Sequence, residues 1–99
     1  MIFNKDKTKL SPGQFCTSKQ GRDKGKFYIV YEIVDEDYVL LINGEDRKIK
    51  NPKRKNQRHL QKVNSWIDDF NILKEDDKLE DIKIKSSIKL KLQEDKIGK

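Results

Sequence analysis

The sequence predicts a mainly β protein, a small antiparallel barrel or curled sheet followed by a C-terminal helical extension. Three observations carry this. Short runs rich in aromatic and β-branched residues recur between Gly13 and Lys50. Turn signals separate them at Pro12-Gly13, Asp35-Glu36-Asp37 and Asn43-Gly44. From Trp66 onward the character changes to an apolar cluster, an acidic stretch and a lysine-rich segment in which Ile84, Ile88 and Leu92 recur at helical spacing.

Taken in order, residues 1–11 read as a flexible N-terminal segment, 12–64 as the barrel and 65–99 as the extension. Residues 13–18, GQFCTS, form a short strand leading into a basic loop, KQGRDKGK, whose Gly21 and Gly25 supply positive φ or let a ligand backbone come close. Lys26 to Val34 is the long strand. Its odd phase, Phe27, Ile29, Tyr31 and Ile33, holds no polar residue, whereas the even phase includes Glu32. The odd phase is therefore assigned to the core, and Tyr28 faces outward, where it either lies over a neighbouring element or stacks on a base. Tyr38 to Ile42 returns, Asn43-Gly44 makes a type I′ hairpin turn, and Arg47 to Lys50 pairs back as the next strand. Trp66 and Phe70 are expected to cover the barrel's open side. In IKIKSSIKLKL the apolar residues fit both a strand and a helix, and a helix from about Asp81 to Gln93 is favoured because Glu80 and Asp81 suit the positive end of its dipole.

Length and composition exclude several functions. A chain of 99 residues makes one domain with too little buried volume for an elaborate active-site cavity. His59 is the only histidine, and no pattern gives it a nucleophile and an orienting acid, so no enzyme is expected. The acids Glu75, Asp76, Asp77, Glu80 and Asp81 lack calcium-loop spacing, and Gly21 and Gly25 do not make a phosphate-binding loop. Neither metal, cofactor nor small-molecule substrate is expected. The longest apolar runs, Phe27 to Tyr31 and Tyr38 to Ile42, are far short of the ~20 residues of a membrane-spanning helix. The N-terminus lacks the layout of a secretory signal, and the single Cys16 reads as a small buried apolar side chain. A cytoplasmic location is expected.

Charge is the strongest functional signal. Residues 1–65 carry 15 Lys plus Arg against 8 Asp plus Glu, whereas 66–99 carry 8 against 9, so all the net +6 lies in the first two thirds. Between Arg47 and Lys62 stand eight cations and no acid. A solvated surface usually interleaves acids with its lysines. Here the run is unrelieved and bent at Asn51-Pro52, an arrangement in which side chains can converge on a polyanion.

The segment PGQFCTSKQGRDKGKFYIV, residues 12–30, resembles the KOW motif of ribosomal proteins and transcription-elongation factors. NGEDRKIKNPKRKNQRHL, residues 43–60, is similar to the bacterial KOW-domain RNA-binding proteins, relatives of the fourteen-e, six-e and twenty-seven-e type proteins of the archaeal and eukaryotic large ribosomal subunit. The resemblance covers about half the chain. It implies an SH3-like (KOW) antiparallel barrel, with Gly21 as the motif's glycine and Gly25 beside it in the loop. It implies RNA contacts from Lys19, Arg22, Lys24 and Lys26 in that loop, and from Arg47, Lys48, Lys53, Arg54, Lys55 and Arg58 downstream. For His59, a structural role and an RNA contact are equally supported. The expected function is a non-enzymatic RNA-binding module, monomeric when free, that associates with the ribosome or with structured ribosomal RNA, the large ribosomal subunit being a further expected partner. The alternatives are a protein-interaction adaptor of the translation or transcription machinery and, third, a duplex-DNA binder. On this reading the cations share one rim free of internal ion pairs, and joint replacement of Lys53, Arg54 and Lys55 by alanine weakens RNA binding without loss of stability.

Overall fold

The structure, a computed structural model, describes residues 10–97. Strands β1 (Gln14–Ser18), β2 (Phe27–Ile33), β3 (Tyr38–Ile42) and β4 (Lys53–Asn56) are followed by a 3-10 turn at Gln57–His59, strand β5 (Leu60–Trp66), and helices α1 (Phe70–Glu75) and α2 (Asp81–Ile97). The strands form one antiparallel sheet in the order β4-β3-β2-β1-β5. A mainly β architecture with a C-terminal helix is thus observed, compatible with a small barrel, and α2 begins at Asp81 as expected.

The sheet buries both faces. On one, Leu10, Cys16, Tyr28, Val30, Val39, Leu41 and Leu60 make an inner core. On the other, Phe15, Ile29 and Ile42 pack against Phe70 of α1 and Ile84 and Ile88 of α2. This explains why β2 and β3 read as continuous apolar runs rather than an alternation. It also overturns the outward placement of Tyr28, which is only 1% exposed. A single apolar phase fails for β2 because α2 covers its second face and because the strand bulges. Val30 pairs with Leu41 but Glu32 with Leu40, so Tyr31 is an extra residue and Ile33 returns to the inner side.

The expected strand at Arg47 to Lys50 is instead part of a ten-residue connection, 43–52, and the pairing strand is β4. Asn43-Gly44 does not make a two-residue hairpin. Asn43 Oδ1 accepts from the amides of Glu45 (2.9 Å) and Arg47 (3.0 Å), which opens a wider loop. Gly44 adopts φ +80°, and a Cβ there would run into the carbonyl of Asp81, so the first turn of α2 rests on this glycine. The helix is held from the same loop, whose Ile49 amide donates to Asp81 Oδ1 at 2.8 Å.

Phe70 is buried as expected, but Trp66 is 46% exposed and donates from Nε1 to Ser11 Oγ at 2.9 Å. Of the expected flexible segment 1–11, residues 1–9 lie outside the described residues. Leu10 belongs to the inner core, and its amide donates to Gln57 Oε1 at 3.3 Å.

Candidate functional site

The basic loop between β1 and β2 is folded by its own backbone. The Lys26 amide donates to Asp23 O (2.9 Å), Lys24 to Gly21 O (3.2 Å) and Gly25 to Ser18 O (2.8 Å). Gly21 sits at φ +93°, a backbone that side chains rarely adopt, which gives the expected loop glycine a physical reason. Gly25 shares this left-handed conformation at φ +92°. Arg22 and Lys24 face solvent, while Asp23 between them is only 8% exposed.

Asp23 is the centre of a network that joins the loop to the far edge of the sheet. Its Oδ1 accepts from Lys55 Nζ (2.9 Å) and Ser18 Oγ (2.8 Å), and its Oδ2 from the Tyr28 hydroxyl (2.9 Å). Lys53 Nζ stands 3.4 Å from Oδ2. Lys55 Nζ also donates to Gln20 O at 3.0 Å. Burial alone would raise the Asp23 pKa. The bonds from Lys55, Ser18 and Tyr28 and the charge of Lys53 outweigh it and hold the carboxyl well below the usual range. Burial, together with the donated bond to Asp23, pushes the Tyr28 phenol above its ordinary value. Every buried polar side-chain atom among the described residues has a partner.

Strand periodicity then divides the run Lys53-Arg54-Lys55. Lys53 pairs across from Leu41 and Lys55 from Val39, both inner-core residues, so the two ammonium groups turn inward over the rim to Asp23. Arg54 points to the other side, where its guanidinium lies 3.9 Å from the centre of the Tyr38 ring. The expectation that these three cations converge on one rim free of internal ion pairs is corrected on both counts. Their alternation along β4 separates them, and a buried acid sequesters two of them.

Of the remaining expected residues, Lys26, Arg58 and His59 adjoin the loop, whereas Arg47 and Lys48 belong to the 43–52 connection. The Lys19 amide donates to His59 O (2.7 Å), which sets the 3-10 turn with exposed Arg58 beside the loop's start. His59 itself is half-buried at the end of that turn. At the loop's end Lys26 Nζ donates to Asp46 Oδ2 at 2.7 Å, and the raised pKa of Lys26 follows from that bond. Lys26, and Asn43 through its amide at 2.7 Å, lower the Asp46 carboxyl to about 2. Arg47 is half-buried next to Asp46 in the 43–52 connection, and Lys48 is exposed further along it. Among the described residues, Lys19, Arg22, Lys24, Arg47, Lys48, Arg54 and Arg58 have no carboxylate within 4.0 Å, unlike Lys26, Lys53 and Lys55.

Asp23 and Ser18 are parts of the site that sequence reasoning missed, and Tyr28, expected to face outward, belongs to it through its hydroxyl bond to Asp23 instead. The available signal was that Asp23 is the only acid in KQGRDKGK. Among the described residues, no three His, Cys, Asp or Glu side chains come together as a cation site, and no helix is long and apolar enough to cross a membrane. No protein-family model matches this chain.

Proposed function

We propose that this protein is a non-enzymatic RNA-binding module built on an SH3-like barrel of the KOW type, which associates in the cytoplasm with structured ribosomal RNA of the large subunit. One observation carries the reading. Lys19, Arg22 and Lys24 stand exposed, without carboxylate partners among the described residues, on a loop fastened from inside through Asp23, with Arg58 alongside. Such a loop presents positive charge in a fixed arrangement to a phosphate backbone. The antiparallel order, and a 3-10 turn between the last two strands, fit the SH3-like reading. The deep major groove of A-form RNA is too narrow for side chains, so the loop engages phosphates and 2′-hydroxyls by shape. Lys19 and Lys24, as point charges, give contacts with little base preference, while Arg22 and Arg58 offer planar forks to phosphate.

Sedimentation of native extract through a sucrose gradient tests the reading. The protein is expected to travel with large ribosomal subunits at low salt and to be released at high salt; retention at the top of the gradient under both conditions contradicts it.

A specific observation also favours the adaptor. An open groove of about 330 Å³ between β5 and α2 sets Phe15, Trp66, Ile67 and Leu90 among serine and charged side chains, and Trp66 and Leu90 are exposed. Capture from nuclease-treated lysate separates the two readings, since an adaptor keeps its partner and an RNA-binding module loses it.

A further inference from the structure

We propose that Asp23 is the positioning residue of the RNA-contacting loop, an internal anion that holds Lys19, Arg22 and Lys24 in their binding arrangement and withholds Lys53 and Lys55 from the ligand. This rests on the RNA-binding reading and goes beyond it, because it assigns an essential role to a negative charge in a site meant for a polyanion.

The geometry gives the reason. Asp23 is flanked by Arg22 and Lys24, so turning its side chain inward turns theirs outward. Its carboxylate receives bonds from three elements: Ser18 at the end of β1, Tyr28 in β2 and Lys55 in β4. Ser18 Oγ has one proton and lies 2.8 Å from Asp23 Oδ1 and 3.0 Å from Gln20 O, and the ionised carboxylate is the stronger acceptor. The network gathers two ammonium groups on one carboxylate, with the Asp23 and Lys55 side chains largely buried and Lys53 at the partly exposed rim, so the two like charges stay together only while the acid is present. Without it, Lys53 and Lys55 repel each other, and the inner fastening of the loop is reduced to the Lys55 Nζ bond to Gln20 O and the loop's backbone bonds. The three exposed cations then have to be ordered anew each time RNA binds, and side-chain ordering on binding weakens affinity.

The sign of the effect distinguishes this from simple electrostatics. Asp23→Asn raises the net charge of the chain by one, so a charge-count account predicts tighter RNA binding. Positioning predicts weaker binding with a particular kinetic split. Association of the full-length variant with a labelled RNA hairpin is unchanged or faster, because the added charge steers encounter, and dissociation is about tenfold faster, because the bound loop is no longer preorganised. Partial unfolding gives a different signature, a smaller binding amplitude with the dissociation rate of the folded fraction unchanged.

Stopped-flow binding of wild type, Asp23→Asn and Tyr28→Phe decides. Tyr28→Phe removes one bond to the carboxylate without altering charge, so it keeps the test alive if Asp23→Asn fails to fold, and about threefold faster dissociation is expected of it. Equal or slower dissociation in the folded variants overturns the positioning role while leaving RNA binding intact. Absence of salt-sensitive binding by the wild type removes the RNA reading itself, and with it this proposal.

Discussion

Replacing Lys55 by methionine keeps most of the apolar stem and removes the ammonium from Asp23. The pair it breaks is largely buried, with side-chain exposures of 11% for Lys55 and 7% for Asp23 at a separation of 2.9 Å. Removing one partner of a buried pair costs about 3–5 kcal/mol, because the other charge is left without compensation. Here the carboxylate keeps Ser18, Tyr28 and the more distant Lys53, so a loss of about 2–3 kcal/mol is expected. In a domain of this size that lowers Tm by about 10–20 °C. Lys53→Met breaks a longer contact of 3.4 Å made by a side chain that is 28% exposed, and about 1 kcal/mol is expected. Arg54→Ala removes only a surface stack on Tyr38, worth about 0.5–1 kcal/mol. Urea unfolding followed by circular dichroism measures all three, with the m-value confirming that the same transition is compared. The double variant Asp23→Asn with Lys55→Met is expected to lose less than the sum of its singles, since it leaves one fewer orphaned charge. Equal losses from the Lys55, Lys53 and Arg54 variants, or additivity in the double, would refute the network. The same reasoning revises the expectation that joint replacement of these three residues spares stability.

Gly44→Ala adds a Cβ at φ +80° against the Asp81 carbonyl, so a loss of about 2 kcal/mol or more and a displaced start of α2 are expected; a loss below about 0.5 kcal/mol in urea unfolding contradicts the contact. The Asp23 carboxyl titrates lower in the folded than in the unfolded chain, so its contribution to stability is fully present above about pH 4 and disappears as pH falls through the folded value. Urea midpoints should therefore decline on acidification below that point, less steeply in Asp23→Asn, and parallel declines would count against the assignment. Burial pushes the Cys16 thiol up to about 12, so a thiol probe at neutral pH should label it only on unfolding; rapid labelling of the native protein contradicts its placement.

The elements that were legible in the sequence owe it to local chemistry. β1, β2 and β3 follow from β-branched and aromatic runs bounded by turn residues, and α2 begins at the acid that suits a helix N-terminus. What escaped depends on partners distant in sequence. The burial of Tyr28 requires Asp23 and the inner core, and the double-sided burial of β2 requires α2. Asn43-Gly44 resembles a hairpin turn, yet the ten-residue connection exists to meet the Asp81 turn. α1 is only six residues long and rests on the burial of Phe70 rather than on propensity. In the site, a list of cations was readable, but which of them are free was not. The alternation along β4 and one buried acid decide that, and neither shows in a charge count.

The most direct test of the central claim is the salt dependence of RNA binding by the wild type and by the variant carrying Lys19→Gln, Arg22→Gln and Lys24→Gln. With Lys19, Arg22, Lys24 and Arg58 each neutralising one phosphate of a single strand, log K should fall against log salt with a slope of about −3. Removing the three loop cations should flatten it by about 2. A wild-type slope near zero, or a slope unchanged in the triple variant, contradicts RNA recognition by this loop.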